Sequence, residues 1–112
     1  MKDSTKDFYQ RVYELVAQIP EGRVTSYGVI AGYLGVESGA RMVGYALNNY
    51  DPEQLGYHIP AHRVLNRLGQ LTGRAFFEDD SMRERLEQEG VEFISEYTVN
   101  FNKHFWNPFD EL

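Results

Sequence analysis

The stretch that decides the fold is SYGVIAGYLGVESGARMVGYALN, residues 26–48. It holds two helical patterns joined by a short turn. Ser26 is a suitable N-cap for the first helix, whose apolar side is formed by Val29, Ile30, Tyr33 and Leu34. Gly35 suits the left-handed position that follows a helix C-terminus. The second helix is predicted from Ser38 to about Asn48. Two helices separated by a glycine-containing turn predict a helix-turn-helix.

The second predicted helix has a nearly bare face, because several of its residues are very small. They are Gly39, Ala40, Gly44 and Ala46. A glycine inside a helix costs about 1 kcal/mol relative to alanine, so its presence needs a reason. Two reasons remain open on sequence grounds: close packing between helices, or the close approach of a binding partner to this face.

Further helices flank this pair. An upstream helix is predicted by apolar residues at helical spacing, namely Phe8, Val12, Leu15, Val16 and Ile19. Residues 3–5 supply its N-cap candidates, and Pro20 ends it. Residues 24–25 are expected to be extended. Ser81 is the expected N-cap of a last helix, which Gly90 ends.

The remaining segments complete a single predicted domain, residues 1–112. Residues 49–58 are expected to form a loop, and residues 66–69 a turn between short extended pieces. The core of the domain is assigned to residues 8–90. Residues 91–112 are rich in aromatic and acidic side chains, and such a tail is expected to pack back on the domain. The predicted fold class is mainly α, a helix-turn-helix domain with a short β hairpin.

Composition limits the classes of function. Of the 112 residues, 42% are hydrophobic, with 8 Tyr, 7 Phe and no Cys. The hydrophobic share is enough for one small core. The lack of cysteine excludes disulfides, thiolate metal sites and thiol nucleophiles. The N-terminus has no apolar signal sequence, and no apolar run reaches the roughly 20 residues of a membrane span. We therefore expect a soluble, cytoplasmic, monomeric protein without membrane contact.

Charge is distributed unevenly along the chain. The net charge of −6 argues against a general nucleic-acid binder. Residues 54–77, however, contain no acid and three arginines, Arg63, Arg67 and Arg74. The acids concentrate in residues 78–112. The middle of the chain is therefore locally positive, and the acidic tail is either a solvated surface or a functional one.

Histidines do not form an evident metal site. His58 and His62 have helical ligand spacing, but Pro60 between them argues against a helix, and no third ligand is close in sequence. No cofactor is expected. A hydrolase based on His62 and Glu89 is disfavoured too, since no serine or cysteine nucleophile is placed with them.

Four blocks of sequence carry a family resemblance. They are IPEGRVTSYG (19–28), ARMVG (40–44), IPAHRV (59–64) and Glu89-Gly90. In order and spacing they resemble the DNA-binding domain of O6-alkylguanine-DNA alkyltransferases, whose Pro-Cys-His-Arg motif stands here as Pro-Ala-His-Arg. The resemblance covers about residues 8–90 and implies a winged-helix domain with a helix-turn-helix.

The resemblance places an alanine, Ala61, at the position of the alkyl-accepting cysteine. In the family a histidine and a glutamate activate this cysteine as a thiolate, and His62 and Glu89 match them. Ala61 offers only a methyl group, which implies a protein that is not an enzyme and a pocket that tolerates bulky O6 groups. Arg74, where alkyltransferases usually carry tyrosine, and the Trp-x-Pro element at Trp106 resemble the cysteine-free alkyltransferase-like branch.

The resemblance also implies how DNA is bound. The small-residue helix enters the minor groove, Arg41 replaces the flipped nucleotide in the stack, Tyr27 displaces the phosphate, and Arg74 senses the flipped base. The predicted DNA- and lesion-binding residues are Tyr27, Ser38, Gly39, Ala40, Arg41, Gly44, Ala61, Arg63 and Arg74. The implied function is a sensor that binds O6-alkylguanine in double-stranded DNA by nucleotide flipping and flags it for nucleotide excision repair.

Two other functions stay open. One is a true alkyltransferase whose cysteine was changed to alanine. The other is a winged-helix transcriptional regulator, although the predicted recognition helix offers few long polar side chains for base contacts. It also stays open which of Asn48 and Asn49 matches the asparagine of the alkyltransferase site.

Overall fold

The structure, a computed structural model, describes the backbone of residues 3–112 and the side chains from residue 5 onward. Its elements are α1 (Asp3–Val16), β1 (Thr25–Ser26), α2 (Tyr27–Tyr33), α3 (Ala40–Asn48), α4 (Pro52–Leu55), β2 (Val64–Leu65), α5 (Ser81–Gln88), β3 (Phe93–Ser95), β4 (Thr98–Val99), α6 (Phe101–His104) and α7 (Pro108–Glu111). Two single turns of 3-10 helix, Ala61–Arg63 and Arg74–Phe76, lie among them. The mainly helical fold class is confirmed.

The helix-turn-helix consists of α2 and α3, which pack on each other and on α1. The Ser26 hydroxyl accepts a hydrogen bond from the Val29 amide at 3.2 Å, as its predicted role as N-cap requires. Gly35 has the expected positive φ of 84°. The start of α3 was predicted too early, because Ser38 belongs to the turn and Gly39 is the N-cap.

Other boundaries differ from the predictions as well, and α1 ends at Val16, before the predicted stop at Pro20. Residues 3–5 lie inside α1 and do not precede it. Residues 49–58 contain α4, which is capped by the Asp51 carboxylate accepting from the Glu53 amide at 2.9 Å, with a proline in its first turn. Ser81 is the first residue of α5, and Asp80 occupies the N-cap position. A helix of a single turn, like α4, gives too short a pattern to detect by periodicity.

The strands connect distant parts of the chain. The pair β1–β2 is parallel, with Thr25 opposite Val64 and Ser26 opposite Leu65. The turn at residues 66–69 is confirmed, since the Asn66 carboxamide oxygen accepts from the Leu68 and Gln70 amides. The residues on either side of this turn do not form a hairpin with each other. Leu65 pairs with Ser26, and Gln70 forms an isolated bridge with Thr98. The antiparallel hairpin is β3–β4, in the C-terminal segment.

Two apolar clusters form the interior. The first joins α1, α2 and α3 to Trp106, which is 2% exposed. The second contains Val24, Leu65, Leu71, Met82, Leu86, Val91 and Val99. The C-terminal segment contributes to both, so its predicted packing on the domain is confirmed. No helix in the described part of the chain is long and apolar enough to cross a membrane.

Candidate nucleic-acid interface

A cavity of about 270 Å³ opens beside Ala61. The parallel pairing of β1 with β2 accounts for its position, because it holds the turn at Ala61–Arg63 next to the start of α2, where Tyr27 lies. Gly73 closes another side, and a Cβ there would lie 2.9 Å from the Tyr27 hydroxyl. The other lining residues are Leu47, Asn48, Tyr50, Pro52, His58, Ile59, Phe76, Phe77, Met82 and Arg85.

A groove of about 370 Å³ runs along the exposed face of α3. Its lining residues are Tyr27, Ala40, Arg41, Gly44, Tyr45 and Asn48. A Cβ added to Gly44 would meet no atom within 4 Å, so this glycine does not serve helix packing. Arg41 is exposed. Because Tyr27 and Asn48 line both the groove and the Ala61 cavity, the two spaces adjoin.

Behind the cavity, Glu89 joins two motif residues. Its carboxylate lies 2.8 Å from His62 Nε2 and accepts two bonds from the Arg63 guanidinium, at 2.9 and 2.6 Å. Arg63 also donates to the Ile19 carbonyl at 2.7 Å. These side chains are at most 15% exposed. Arg63 was predicted to bind DNA; in this structure its guanidinium donates to the Glu89 carboxylate and to the Ile19 carbonyl.

The charges in this cluster follow from its bonds. Burial raises the pKa of the Glu89 carboxyl, but the hydrogen bonds from Arg63 and His62 lower it more, so it lies below 4.5. Burial lowers the pKa of His62 below 6.5, against the opposing effect of Glu89. A carboxylate can only accept hydrogen bonds, so the neutral imidazole carries its proton on Nε2. His62 and Glu89, which by the family resemblance correspond to the residues that activate a thiol, are thus hydrogen-bonded to each other next to an alanine.

We expect stability to fall on acidification. A lowered folded-state pKa means that the unfolded chain takes up the proton first, so His62 reduces stability as the pH falls below 6.5 and Glu89 as it falls below 4.5. Urea denaturation between about pH 7 and pH 5 measures the first effect. His62→Gln should flatten this part of the profile, whereas the exposed His58→Gln should keep it. An unchanged slope in His62→Gln would contradict the assignment.

The remaining predicted residues lie in different surroundings. Ser38 is exposed in the turn before α3. Gly39, also predicted to bind DNA, is buried, and a Cβ there would lie 2.7 Å from Val36 Cγ1 and 2.8 Å from the Val36 carbonyl oxygen. Its small size is therefore required by the turn.

Arg74 does not line the cavity beside Ala61. Its guanidinium carbon lies 4.0 Å from the centroid of the Tyr97 ring, at a shallow groove formed with the C-terminal segment. The sequence could not indicate this contact, because Tyr97 belongs to a segment whose path no local pattern specifies.

Asn48 and Arg85 line the cavity but were not among the predicted site residues. Asn48 and Asn49 could not be separated in sequence, and one residue on a helix changes the direction of a side chain by about 100°. Asn48 lines the cavity, whereas the side-chain Nδ2 of Asn49 donates to the Tyr45 carbonyl at 2.8 Å. Arg85 was taken only as part of the last helix. Arg85 follows Arg83 by two residues, so the two arginines lie on different faces of α5. This spacing is visible in the sequence and could have indicated that Arg85 faces a different part of the protein.

These features define a DNA-binding class of domain: a helix-turn-helix whose second helix has a small-residue groove, with a cavity behind it. Residues 7–91 match the family described as 6-O-methylguanine DNA methyltransferase, DNA binding domain. The chain belongs to this family, in its alkyltransferase-like branch without the acceptor cysteine.

Similar proteins support the assignment. Alkyltransferase-like protein 1 of Schizosaccharomyces pombe is 40% identical over 107 residues, 91% of this chain and 96% of the relative. The DNA base-flipping protein of Escherichia coli K12 is 40% identical over 102 residues, 89% and 74% of the two chains. The crystal structure of S. pombe Atl1 in complex with damaged DNA containing O6-carboxymethylguanine has a TM-score of 0.78 at 37% identity, covering 96% of this chain and 100% of that one.

Proposed function

We propose that this protein is a non-enzymatic sensor of O6-alkylguanine in double-stranded DNA. The observation that carries the proposal is Ala61 in the wall of a cavity that adjoins the α3 groove. A methyl group has no lone pair with which to accept an alkyl group, so the protein does not transfer one. Binding in the same place is unaffected by that loss, and the likeness to a complex with damaged DNA supports it.

In the proposed complex α3 enters the minor groove. A normal minor groove is about 6 Å wide, so a helix fits only if its face is bare and the DNA bends. The open space at Gly44 meets the first requirement. Arg41 takes the place of the extruded nucleotide in the base stack, and the damaged guanine turns past Tyr27 into the cavity beside Ala61.

Tyr27 acts in this proposal as a hydrogen-bond donor to the displaced phosphate. Burial raises the pKa of its hydroxyl above 10.0, against a smaller lowering effect of Thr72. The hydroxyl is therefore protonated at neutral pH and can donate. Arg74 senses the flipped base by cation–π contact, as the family resemblance implies. To do so it has to leave the ring of Tyr97, on which it lies in this structure.

A sensor that does not remove the alkyl group needs other proteins to repair the lesion. We propose that the bent complex, acting as a monomer, marks the lesion for nucleotide excision repair, and that the acidic C-terminal segment is available for contacts with repair proteins. The protein would act where chromosomal DNA lies, in the cytoplasm of a bacterium or the nucleus of a eukaryote.

The decisive test is a binding titration with matched duplexes that contain guanine or O6-methylguanine. Tighter binding of the damaged duplex is expected, and equal affinities would refute the sensor. Incubation of the protein with O6-methylguanine DNA followed by mass measurement should show no gain of a methyl group. Specific retention of an undamaged site in gel-shift competition would instead favour a transcriptional regulator.

Three glycine substitutions separate packing from DNA contact. Gly39→Ala should destabilise the fold by about 1–3 kcal/mol, because the new methyl group collides with Val36. Gly44→Ala and Gly32→Ala meet open space within helices and should each stabilise by about 0.5–1 kcal/mol. Thermal denaturation checks these values.

DNA binding should distinguish the two stabilised variants. Gly44→Ala places a methyl group on the face that enters the minor groove, so its affinity for the damaged duplex should fall. Gly32→Ala, on α2, is the matched control and should bind like the unmodified protein. Equal binding by both variants would show that the Gly44 face does not contact DNA.

A further inference from the structure

One arginine, Arg85, lines the cavity beside Ala61, and none of the described lining residues is an aspartate or a glutamate. The rest of its wall is mostly apolar or aromatic, including Leu47, Ile59 and Met82. A cavity with a permanent cation and no carboxylate suits a ligand that carries a negative charge.

Arg85 is available to such a ligand. It is exposed in the last turn of α5, and its guanidinium carbon lies 5.6 Å from the centroid of the Phe77 ring, which also lines the cavity. Among the side chains of residues 5–112 it forms no ion pair, although α5 is rich in acids. Arg83, on the same helix, is paired with Glu87 at 3.2 Å.

Ala61 has only a methyl group, so it leaves space through which the O6 substituent of a bound base can approach Arg85. The base that occupies the cavity in the proposed function presents its O6 group towards the position of the missing nucleophile. A substituent longer than methyl therefore extends past Ala61 into space that Arg85 borders.

We propose that Arg85 makes this pocket select O6 substituents that end in a carboxylate over neutral substituents of the same size. The inference rests on the proposed function and adds a specificity residue to it. A hydrogen bond between guanidinium and carboxylate is about twice as strong as a neutral one. Arg85 is partly solvated, which reduces the difference, so the expected preference is about 5- to 10-fold.

The test uses the full chain and four matched duplexes, with guanine, O6-methylguanine, O6-carboxymethylguanine and its neutral amide, O6-carbamoylmethylguanine. Fluorescence anisotropy at one fixed salt concentration gives the four affinities. The unmodified protein should prefer the carboxylate to the amide by the stated factor. Arg85→Gln should bring this ratio to about one, and Arg85→Lys should retain part of it. Arg83→Gln is the matched control and should keep the full ratio.

Three outcomes would overturn the inference: a ratio of one in the unmodified protein, a full ratio in Arg85→Gln, or equal weakening of all four duplexes by Arg85→Gln. The last would mean that Arg85 contacts the phosphate backbone. The proposed function fails separately, through equal affinities for guanine and O6-methylguanine. Melting temperatures of the variants exclude unfolding as a cause of weaker binding.

Discussion

Replacing Glu89 by alanine should lower the free energy of unfolding by about 3–5 kcal/mol, because a buried cation loses its partner. Glu89 is 10% exposed and holds both oxygens of its carboxylate against Arg63, which is 15% exposed. Without it, the guanidinium keeps only the Ile19 carbonyl among these partners. His62 loses its hydrogen-bond acceptor in the same substitution. Urea denaturation at neutral pH measures the loss.

The ion pair of Arg83 with Glu87 is the matched control. It is also formed by an arginine and a glutamate, but the two side chains are 30% and 52% exposed. Glu87→Ala should therefore cost no more than about 0.5 kcal/mol. Similar losses in Glu87→Ala and Glu89→Ala would contradict the structural role of the buried cluster.

This comparison explains why the activating pair persists without a thiol. In the alkyltransferases, as the resemblance implies, His62 and Glu89 correspond to residues that serve catalysis. Here Glu89, the C-cap residue of α5, also binds Arg63 in the turn at Ala61–Arg63, and Arg63 donates to the carbonyl of Ile19 in the segment that follows α1. These hydrogen bonds do not involve the side chain at position 61, so an alanine there leaves them in place.

The sequence predicted those features that a few neighbouring residues determine. Ser26 caps α2 and Gly35 follows it because the side chain and the backbone conformation act within one turn of helix. The four motif blocks then identified the family. The parallel pairing of Thr25 with Val64 could not be predicted, because it joins segments far apart in the chain.

The surroundings of individual site residues are set by contacts between segments far apart in the chain, and the sequence does not reveal these contacts. Arg63 and Arg74 are both arginines in a locally positive region, and both were assigned to DNA. Arg63 is held by Glu89, and Arg74 lies on Tyr97. Conversely, Arg85 comes from an acidic segment and still faces the cavity. Charge along the chain therefore does not specify which cations remain available on the folded surface.

Replacing Arg41 by alanine should weaken binding of an O6-methylguanine duplex by about 10- to 100-fold, which is roughly 1.4–2.8 kcal/mol. Extruding a nucleotide costs a few kcal/mol of stacking and pairing. In the proposed complex the Arg41 side chain fills the vacated position and offsets part of this cost, and alanine is too short to do so. Because Arg41 is exposed at the rim of the α3 groove, the substitution should leave the melting temperature unchanged. Titration with matched duplexes measures the loss.

Loss of one positive charge would also weaken DNA binding. A control variant separates this effect from the loss of the side chain that fills the position of the extruded nucleotide. Arg67→Ala removes an exposed cation from the turn at residues 66–69 and should weaken guanine and O6-methylguanine duplexes by the same factor, since phosphate contacts are independent of the base. Arg41→Ala should weaken the damaged duplex more, because in the proposed complex only the damaged duplex has a flipped nucleotide. Tyr27→Phe, which removes one hydroxyl, should produce a smaller loss in the same direction. Equal factors for the two duplexes in Arg41→Ala would assign Arg41 to the phosphate backbone and leave the flipped nucleotide without a replacement in the stack.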